Sequence, residues 1–548
     1  MPVNKQLKWW GWGMEGQQYD LPALHPFWSY LENKLGPFAL SPRITSLHDI
    51  KPARGLLLPG DFSDIEQIFG KEGVSIDPVK RLMHAMGKSY VDLLRIRRGW
   101  VDRTPDAVVF PVKASQIHAL MAMAADRGWS LVPFGGGTSV VGGVEPFSND
   151  VPVITLDLVR MNRILHIDRT SHTARVQCGI RGPQLEAQLN AAGFTLGHFP
   201  QSFEFSTLGG WIATRSAGQN STKYGKIEQM VISIRIVTPD GILNLPEVPA
   251  DAAGPSLLHC FIGSEGTLGV ITEATVRLHS LPRQRVFFSC LFTDFLAGID
   301  AVRYLLQSGM RPAVVRLSDP DETAMAYWLS KSLRPSIKDR LAKLYLQMRA
   351  LDLQRSAVLI LIFEESRRKM TLAGLPLRSI LKSGAYLGSQ PARRWAQNRF
   401  RHPYLRDDLM DRGIMVDSLE TAAPWHKLPA LYAGVRKTLL KVMGTTATRP
   451  LVLAHLSHAY PDGACLYFTF LARQQRGREL QQYQHVKAAA TEAVMDLGGA
   501  LSHHHGIGHV HRPWMRRYLT PEGMAVLSHL KDKLDPRNIM NPGKLFGA

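Results

Sequence analysis

Three histidines in succession, His503, His504 and His505, stand near the end of a chain of 548 residues, with His509 and His511 close behind. Imidazole is the side chain that titrates nearest neutrality, so such a run suits proton transfer, contact with a phosphate, or metal ligation. Neighbours in an extended strand point to opposite faces, so all three meet one ion only where the backbone bends. Acid–base work or phosphate contact is therefore expected, with no metal; a mostly structural role is the bland alternative. Upstream, Tyr460-Pro461-Asp462-Gly463-Ala464-Cys465-Leu466-Tyr467-Phe468 contains a β run, and alternation puts Cys465 and Tyr467 on one face. A tyrosine becomes a base where a neighbouring cation lowers its pKa, and is otherwise a packing residue.

Glycine supplies a second kind of chemistry. Pro133-Phe134-Gly135-Gly136-Gly137-Thr138-Ser139, continuing to Gly142-Gly143, follows a β run from Leu131 to Phe134. Without Cβ atoms, successive N–H groups turn toward one anion, and the Thr138 and Ser139 hydroxyls add donors. The spacing is neither a Rossmann fingerprint nor a P-loop, which disfavours both. A second stretch runs Ser206-Thr207-Leu208-Gly209-Gly210 and then through Arg215, Ser216, Ala217 and Gly218 to Tyr224-Gly225. The third is Gly263-Ser264-Glu265-Gly266-Thr267-Leu268-Gly269-Val270-Ile271-Thr272. Singly, each is turn chemistry; together they point to one extended ligand crossing several loops.

These groups need elements to hold them. Residues 1–95 read as an irregular and helical lead-in, with short helices over Asp64–Gly73 and Met83–Arg95. Residues 96–284 alternate short strands (Ala107–Pro111, Leu131–Phe134, Val153–Leu156, Thr173–Cys178, Ile232–Val237) with helices over Lys113–Arg127 and Pro183–Ala192. Residues 285–499 form a second unit. Its strands are read at Val286–Leu291, Ala313–Leu317, Val358–Phe363 and Cys465–Thr469, its helices at Leu341–Gln354 and Gln482–Met495. Residues 500–548 form a tail with the histidines, a helix around Glu522–Lys533, and Asp535-Pro536-Arg537-Asn538. The fold class is α+β.

Composition narrows the field. With 45% hydrophobic and 20% charged residues, the chain buries several cores without metals or disulfides. Cys178, Cys260, Cys290 and Cys465 are far apart, which fits a reducing compartment and excludes a disulfide framework. The N-terminus has no secretory h-region, and no apolar run is long enough for a spanning helix. The net charge of +19 gathers partly in Arg340, Lys343, Arg349, Arg355, Arg367, Arg368, Lys369, Arg378 and Lys382, then Arg393, Arg394, Arg399, Arg401 and Arg406. Such a field draws anionic substrates or lipid surfaces, or is simply a solvated face; nothing is spaced for nucleic acid.

The three glycine segments resemble the FAD-binding domain of vanillyl-alcohol-oxidase-type (PCMH-type) flavoproteins. That resemblance implies a two-part FAD-binding domain, an α+β substrate-binding cap, and a C-terminal segment that returns to the flavin domain. It assigns Pro133, Gly135, Gly136, Gly137, Thr138, Ser139 and Gly142 to the diphosphate. Ser206, Thr207, Gly209, Gly210, Arg215, Ser216, Gly218 and Tyr224, with Glu265, Gly266, Gly269, Val270 and Ile271, fall to the ribityl chain and ring. The histidine that attaches flavin covalently in some relatives is missing, so FAD is expected to be non-covalent.

The segments Lys8-Trp9-Trp10-Gly11-Trp12-Gly13, Ser206 to Gly225, Pro312 to Leu317, Glu420 to Trp425, Tyr460 to Phe468 and Ser502 to Gly506 resemble the alkyldihydroxyacetonephosphate synthase family over essentially the whole chain. The resemblance implies exchange of the acyl group of acyl-dihydroxyacetone phosphate for a long-chain alcohol. The route would be a flavin N5 adduct without net oxidation, as part of ether-lipid synthesis. It assigns catalysis to Tyr467, His503, His504 and His505, substrate binding to Arg406, and an active-site role to Arg316. The sequence departs at His455 and His458, where the family usually has arginine and glutamine. The implied partners are a phosphorylated lipid precursor and a long-chain alcohol, with no nucleic acid. The expected location is cytoplasmic, with peripheral contact at the inner face of an anionic membrane, and a homodimer is compatible with this. Two other readings stay open: an FAD-linked oxidoreductase acting on a 2-hydroxy acid such as D-lactate or glycolate, and a non-enzymatic lipid- or nucleic-acid-binding protein that retains the flavin fold.

Overall fold

Two units divide the chain, and neither is one continuous stretch. One comprises residues 43–218, 225–281 and 504–548; the other comprises residues 1–42, 219–224 and 282–503. They are called here the loop unit and the sheet unit. The computed structural model describes residues 8–15, 25–147, 150–330, 352, 355–364, 383–444 and 449–546. The helix read at Leu341–Gln354 falls, apart from Asp352, outside the described residues, as do Arg340, Lys343, Arg349, Arg367, Arg368, Lys369, Arg378 and Lys382.

The loop unit contains two sheets. In the first, β1 (Val74–Ser75), β2 (Ala107–Val109), β3 (Ser130–Phe134) and β4 (Val153–Asp157) lie in the order β1-β2-β4-β3, with β2, β3 and β4 parallel. Parallel neighbours need a crossover, and the helix Ala114–Arg127 supplies it between β2 and β3. Its stripe Ile117, Leu120, Met121 and Ala124 is fully buried in the same apolar cluster as Leu131, Ile154 and Leu156. Each of the larger side chains gains roughly 1.5–3 kcal/mol from that burial. Gly128, at φ +70°, ends the helix in a left-handed turn that returns the chain into β3.

The second sheet is antiparallel, in the order β5-β6-β10-β8-β9: β5 (Ile164–Asp168), β6 (Thr173–Gln177), β8 (Val231–Thr238), β9 (Gly241–Asn244) and β10 (Val270–Arg277). A ribbon of β7 (Phe194–Thr195) and β11 (His279–Ser280) completes the described strands. The tail helix is longer than its sequence suggests, Met515–Leu534, but it bends at Thr520 (φ +65°) before Pro521. The proline has no N–H to continue the first half, so only the second half reads as a regular helix.

Among the described residues, seven antiparallel strands build the sheet unit, in the order β15-β12-β14-β13-β17-β18-β16. They are β12 (Val286–Phe292), β13 (Val314–Ser318), β14 (Ala357–Phe363), β15 (Ala385–Gly388), β16 (Ile414–Pro424), β17 (Leu451–Ala459) and β18 (Gly463–Arg473). The helices Leu428–Met443 and Glu479–Asp496 pack together beside it. The two long strands β16 and β17 are absent from the sequence reading. Polar residues punctuate their apolar runs, so neither a clean alternation nor a continuous apolar stretch announces them.

Candidate active site

Strand register assembles the first part of the site within the sheet unit. Ser318 pairs with His455, His455 with Tyr467, and Tyr467 with Glu420. Directly paired residues share a face, so four adjacent strands contribute one transverse row of polar side chains. Arg316 and Ser418, each two residues from a member of the row, share that face. Sequence periodicity places Cys465 and Tyr467 together but says nothing of the partners across the ladder.

Tyr467 stacks on His455, with ring centroids 4.8 Å apart and planes 18° from parallel. Its hydroxyl donates to Ser418 Oγ at 2.8 Å. A cation, Arg406, does lower the phenol's pKa, but not enough to make it a base. Burial raises it to about 12, outweighing the hydrogen bond to Ser418 and the nearby charge of Arg406. At neutral pH this is a proton-bearing hydroxyl.

Arg316 donates through Nη1 to His455 Nε2 at 3.0 Å and through Nη2 to Glu322 Oε1 at 2.8 Å. His455 Nδ1 lies 3.0 Å from the same carboxylate oxygen. Burial first, and Arg316 second, lower the His455 pKa, so the neutral ring donates from Nδ1 to Glu322 and accepts at Nε2. Burial alone would raise Glu322; Arg316 and His455 reverse that and bring it to about 2. Arg316 is thus brought to the row, with its guanidinium already paired to a carboxylate.

Arg406, on the short helix Leu405–Asp411, donates to Asp417 Oδ1 at 3.1 Å. Lys487 Nζ donates to the Ser418 carbonyl at 2.7 Å and lies 3.9 Å from Asp417 Oδ2. Two cations therefore flank one buried carboxylate beside the tyrosine. The N-terminal Trp–Gly motif fixes this helix. Trp12 N–H donates to Asp407 Oδ2 at 3.0 Å, and Lys8 Nζ is 3.9 Å from the same oxygen. A Cβ on Gly11 would fall 2.3 Å from Asp407 Oδ2, so only glycine lets the backbone come this close.

His503 belongs to the sheet unit, while His504 and His505 cluster with the loop unit, their rings 4.6 Å apart. The run is a bend rather than a strand, so the opposite-faces argument does not govern it. His503 N–H donates to Glu420 Oε2 at 2.6 Å, Ser502 Oγ donates to Glu420 Oε1 at 2.8 Å, and His503 Nε2 lies 2.9 Å from the Tyr460 hydroxyl. His458 sits at φ +46°, in a bulge where the register of β17 on β18 shifts between Ser457 and Ala459. The bulge turns its ring to within 5.3 Å of His503, and Ser221 Oγ is 2.7 Å from its Nδ1.

Within the loop unit the three glycine segments converge. A Cβ on Gly135 would lie 2.3 Å from Thr207 Oγ1, one on Gly136 2.2 Å from the Phe205 carbonyl, and one on Gly266 2.8 Å from Pro133 Cγ. Ser139 Oγ accepts from Gly143 N–H at 2.9 Å, which closes the first loop. Among the described residues, the N–H groups of Gly136, Gly137 and Thr138 meet no protein acceptor, and the buried Ser264 Oγ has no partner. Unused donors on a partly buried loop are what an anionic group would satisfy.

The other assigned positions surround these. Thr207 caps the helix Leu208–Ala213, which carries Gly209 and Gly210. Ser206 Oγ accepts from Trp211 Nε1 at 2.7 Å, and Ser216 Oγ pairs with His198 Nε2 at 3.2 Å. Arg215 stands at φ +51°, 3.8 Å from Glu228. Gly218 packs against Phe199, Gly269 against the Val237 carbonyl, and Val270 and Ile271 open β10. Gly142 lies under His509, whose Nε2 is 3.2 Å from Glu145 Oε1. Tyr224 falls in the segment that clusters with the sheet unit, its hydroxyl donating to Glu364 at 2.5 Å.

The family described as "FAD binding domain" matches residues 105–245, and "FAD linked oxidases, C-terminal domain" matches residues 281–545. An alkyldihydroxyacetonephosphate synthase from Dictyostelium discoideum is 36% identical over 99% of this chain and 94% of its own length. The enzyme of that name from Trypanosoma brucei brucei is 34% identical over 99% of this chain and 92% of its own. A solved alkyldihydroxyacetonephosphate synthase structure superposes with a TM-score of 0.85 at 33% identity, covering 98% of this chain and 99% of that one. The chain belongs to the alkyldihydroxyacetonephosphate synthase family. It is an FAD-dependent enzyme with the two-domain architecture of FAD-linked oxidases.

Seen as a member of that synthase family, the loop unit fits the dinucleotide on its own geometry. The unused N–H groups of Gly136, Gly137 and Thr138 suit the diphosphate, and Ser264 Oγ offers a further hydrogen bond. Several supporting residues carry no local motif. Asn541 Nδ2 donates to the Gly143 and Glu265 carbonyls at 3.0 and 2.7 Å, tying the first segment to the third. Lys531 Nζ reaches the Thr267 and Met540 carbonyls, and Glu265 accepts from the N–H groups of Ile507 and Gly508. Burial raises Glu265 to about 7 despite those two donors. Asp535 to Lys544 is visible as a distinctive run, but the side-chain amide of Asn541 and the Lys544 ammonium reach carbonyls 276 to 399 residues away. Ser418, Asp417 and Lys487 give no sequence signal at all.

Proposed function

We propose that this protein is an alkyldihydroxyacetonephosphate synthase, exchanging the acyl group of acyl-dihydroxyacetone phosphate for a long-chain alcohol, with FAD held non-covalently. The observation that carries the reading is Tyr467, which bears its proton beside Arg406 in a site that also gathers Arg316 and His503. When bound, FAD supplies an electrophilic centre that lets the exchange proceed without net oxidation.

The protein's own residues account for the remaining requirements. Arg406 offers a planar fork suited to a substrate phosphate, and Asp417 holds the guanidinium in place. The Tyr467 hydroxyl keeps its proton and donates a hydrogen bond to the departing carboxylate oxygen, stabilising the charge that develops there. Its burial keeps water from competing. His503, held by Tyr460 and Glu420, is the imidazole placed to act as a proton acceptor in this site. The neutral His455 adds no charge to that corner, where the Arg316 cation and the Glu322 carboxylate balance each other.

The acyl chain and alcohol imply contact with lipid, and an exposed basic face supports peripheral binding to an anionic surface. The helix Gln390–Asn398 packs Ala392, Trp395 and Ala396 against the sheet and exposes Arg393 and Arg394. Among the described residues no helix is long and apolar enough to cross a membrane.

The test is anaerobic incubation with acyl-dihydroxyacetone phosphate and labelled long-chain alcohol, without an electron acceptor. Ether product, with yellow cofactor released on denaturation, supports the reading. No ether, together with acceptor reduction by a 2-hydroxy acid, would replace it with an oxidoreductase. Colourless protein that takes up no FAD would point to a non-enzymatic role.

A further inference from the structure

We propose that Glu420, Cys465 and His503 form an inhibitory site for a thiophilic divalent cation such as Zn2+, which shuts the catalytic centre by engaging His503. The site deepens the proposed reading as a regulator of the same centre, but its binding chemistry stands apart from the reaction.

Geometry brings the donors together. Glu420 pairs with Tyr467 and Ala422 with Cys465, so Glu420 and Cys465 are diagonal neighbours on one face of the β16–β18 ladder. His503 comes to them through its own N–H, which donates to Glu420 Oε2 at 2.6 Å. One ligand atom from each residue lies within 4.8 Å of the others. Zinc bonds of about 2.0–2.3 Å in a tetrahedron space the donors roughly 3.3–3.8 Å apart, so a contraction of about 1 Å closes the site. The three leave one vertex for water or a further donor.

The donor types select the ion. A thiolate, a carboxylate and an imidazole suit Zn2+, Co2+ or Cd2+, whereas Mg2+ and Ca2+ prefer oxygen alone. Supporting bonds are already in place. Ser502 Oγ holds Glu420 at 2.8 Å, and Tyr460 engages His503 Nε2 at 2.9 Å. Metal at Nδ1 then leaves Nε2–H donating to the tyrosine oxygen, the usual arrangement behind a metal-bound histidine. Cys465 is completely buried and Glu420 nearly so. Binding releases the thiol proton to solvent, and two ligand negative charges balance the dication in that low-dielectric setting. The proposed reaction makes no use of Cys465, so the thiol is available for control. Coordination occupies the imidazole that would accept a proton, and turnover stops.

The experiment titrates the FAD-loaded protein with Co2+ and, separately, with Zn2+. Expected are tetrahedral Co2+ ligand-field bands to the red of flavin absorption at one equivalent, displaced by Zn2+. Turnover should be lost over the same Zn2+ concentrations and restored by chelation. In Cys465→Ser the bands vanish and the remaining turnover resists Zn2+. Absence of tetrahedral bands in the wild type, or undiminished bands in Cys465→Ser, overturns the site. Bands without inhibition overturn its regulatory role. If Cys465→Ser does not fold, the 113Cd resonance of the wild-type protein decides: a shift typical of one thiolate supports the site, and an all-nitrogen-and-oxygen shift overturns it. Failure of ether synthesis with the Co2+ bands present counts against the reaction alone.

Discussion

A buried tyrosine hydroxyl gives up its proton less readily than an exposed one, and burial holds Tyr467 in that condition despite its bond to Ser418 and the nearby charge of Arg406. Replacing it with phenylalanine removes only the oxygen. Tyr467→Phe should cut ether formation by about 10²–10⁴-fold while FAD absorbance per protein stays unchanged. Arg406 has a second duty toward the buried Asp417, so Arg406→Lys is the informative change. It keeps the charge but loses the fork, and should raise KM for the phosphate substrate about tenfold with FAD retained. The Glu322 carboxylate, held at about 2, contributes stability that is fully present above its ordinary value near 4.5. That contribution, roughly 3 kcal/mol, is lost as pH falls from 4.5 through 2. Acid unfolding followed by circular dichroism should therefore be shallower in this window for Glu322→Gln. Tyr467, Arg406 and Arg316 are singled out in the sequence through the family motifs they sit in, which are local. Ser418, Asp417 and Lys487 are not: Ser418 meets Tyr467 only across the ladder, and Asp417 and Lys487 join through Arg406 and the Ser418 carbonyl.

The short helix that bears Arg406 is too small to hold its own position, and the N-terminal motif does this work from nearly 400 residues away. Gly11→Ala would drive a methyl group into the Asp407 carboxylate. The expected result is a loss of about 1–3 kcal/mol in stability and a higher KM for the phosphate substrate, with FAD content unchanged. Denaturant titration and steady-state kinetics check both parts. At this scale the sequence is informative where periodicity is strong. The helix read over Lys113–Arg127 and the strands on either side of it appear within a residue or two of their places. The row through His455, Tyr467 and Glu420 is not foreseeable, because β16 and β17 take their register from β18 rather than from any pattern of their own. The bulge at His458 is likewise a property of the pairing; its residue identity alone suggests only a departure from the family.

At the scale of the whole molecule, both units are discontinuous, and the tail from His504 onward completes the loop unit. Asn541 ties the first and third glycine segments through a single amide. Asn541→Ala leaves two carbonyls without that donor, and a loss of about 1–2 kcal/mol should lower FAD affinity roughly tenfold. Fluorescence titration of FAD into the apoprotein measures it, and unchanged affinity would show that the amide only braces the fold. The glycine segments announce such a site in the sequence, since close backbone approach demands glycine. Nothing local announces the clamp.

That clamp bears on how the protein is made. Gly143 is synthesised 398 residues before the asparagine that secures it. At ordinary translation speeds of about 5–20 residues per second, the first loop waits roughly 20–80 s for its fastener. The first loop therefore lacks its clamp until Asn541 has been made, and any ligand that reaches the loop earlier meets it unfastened.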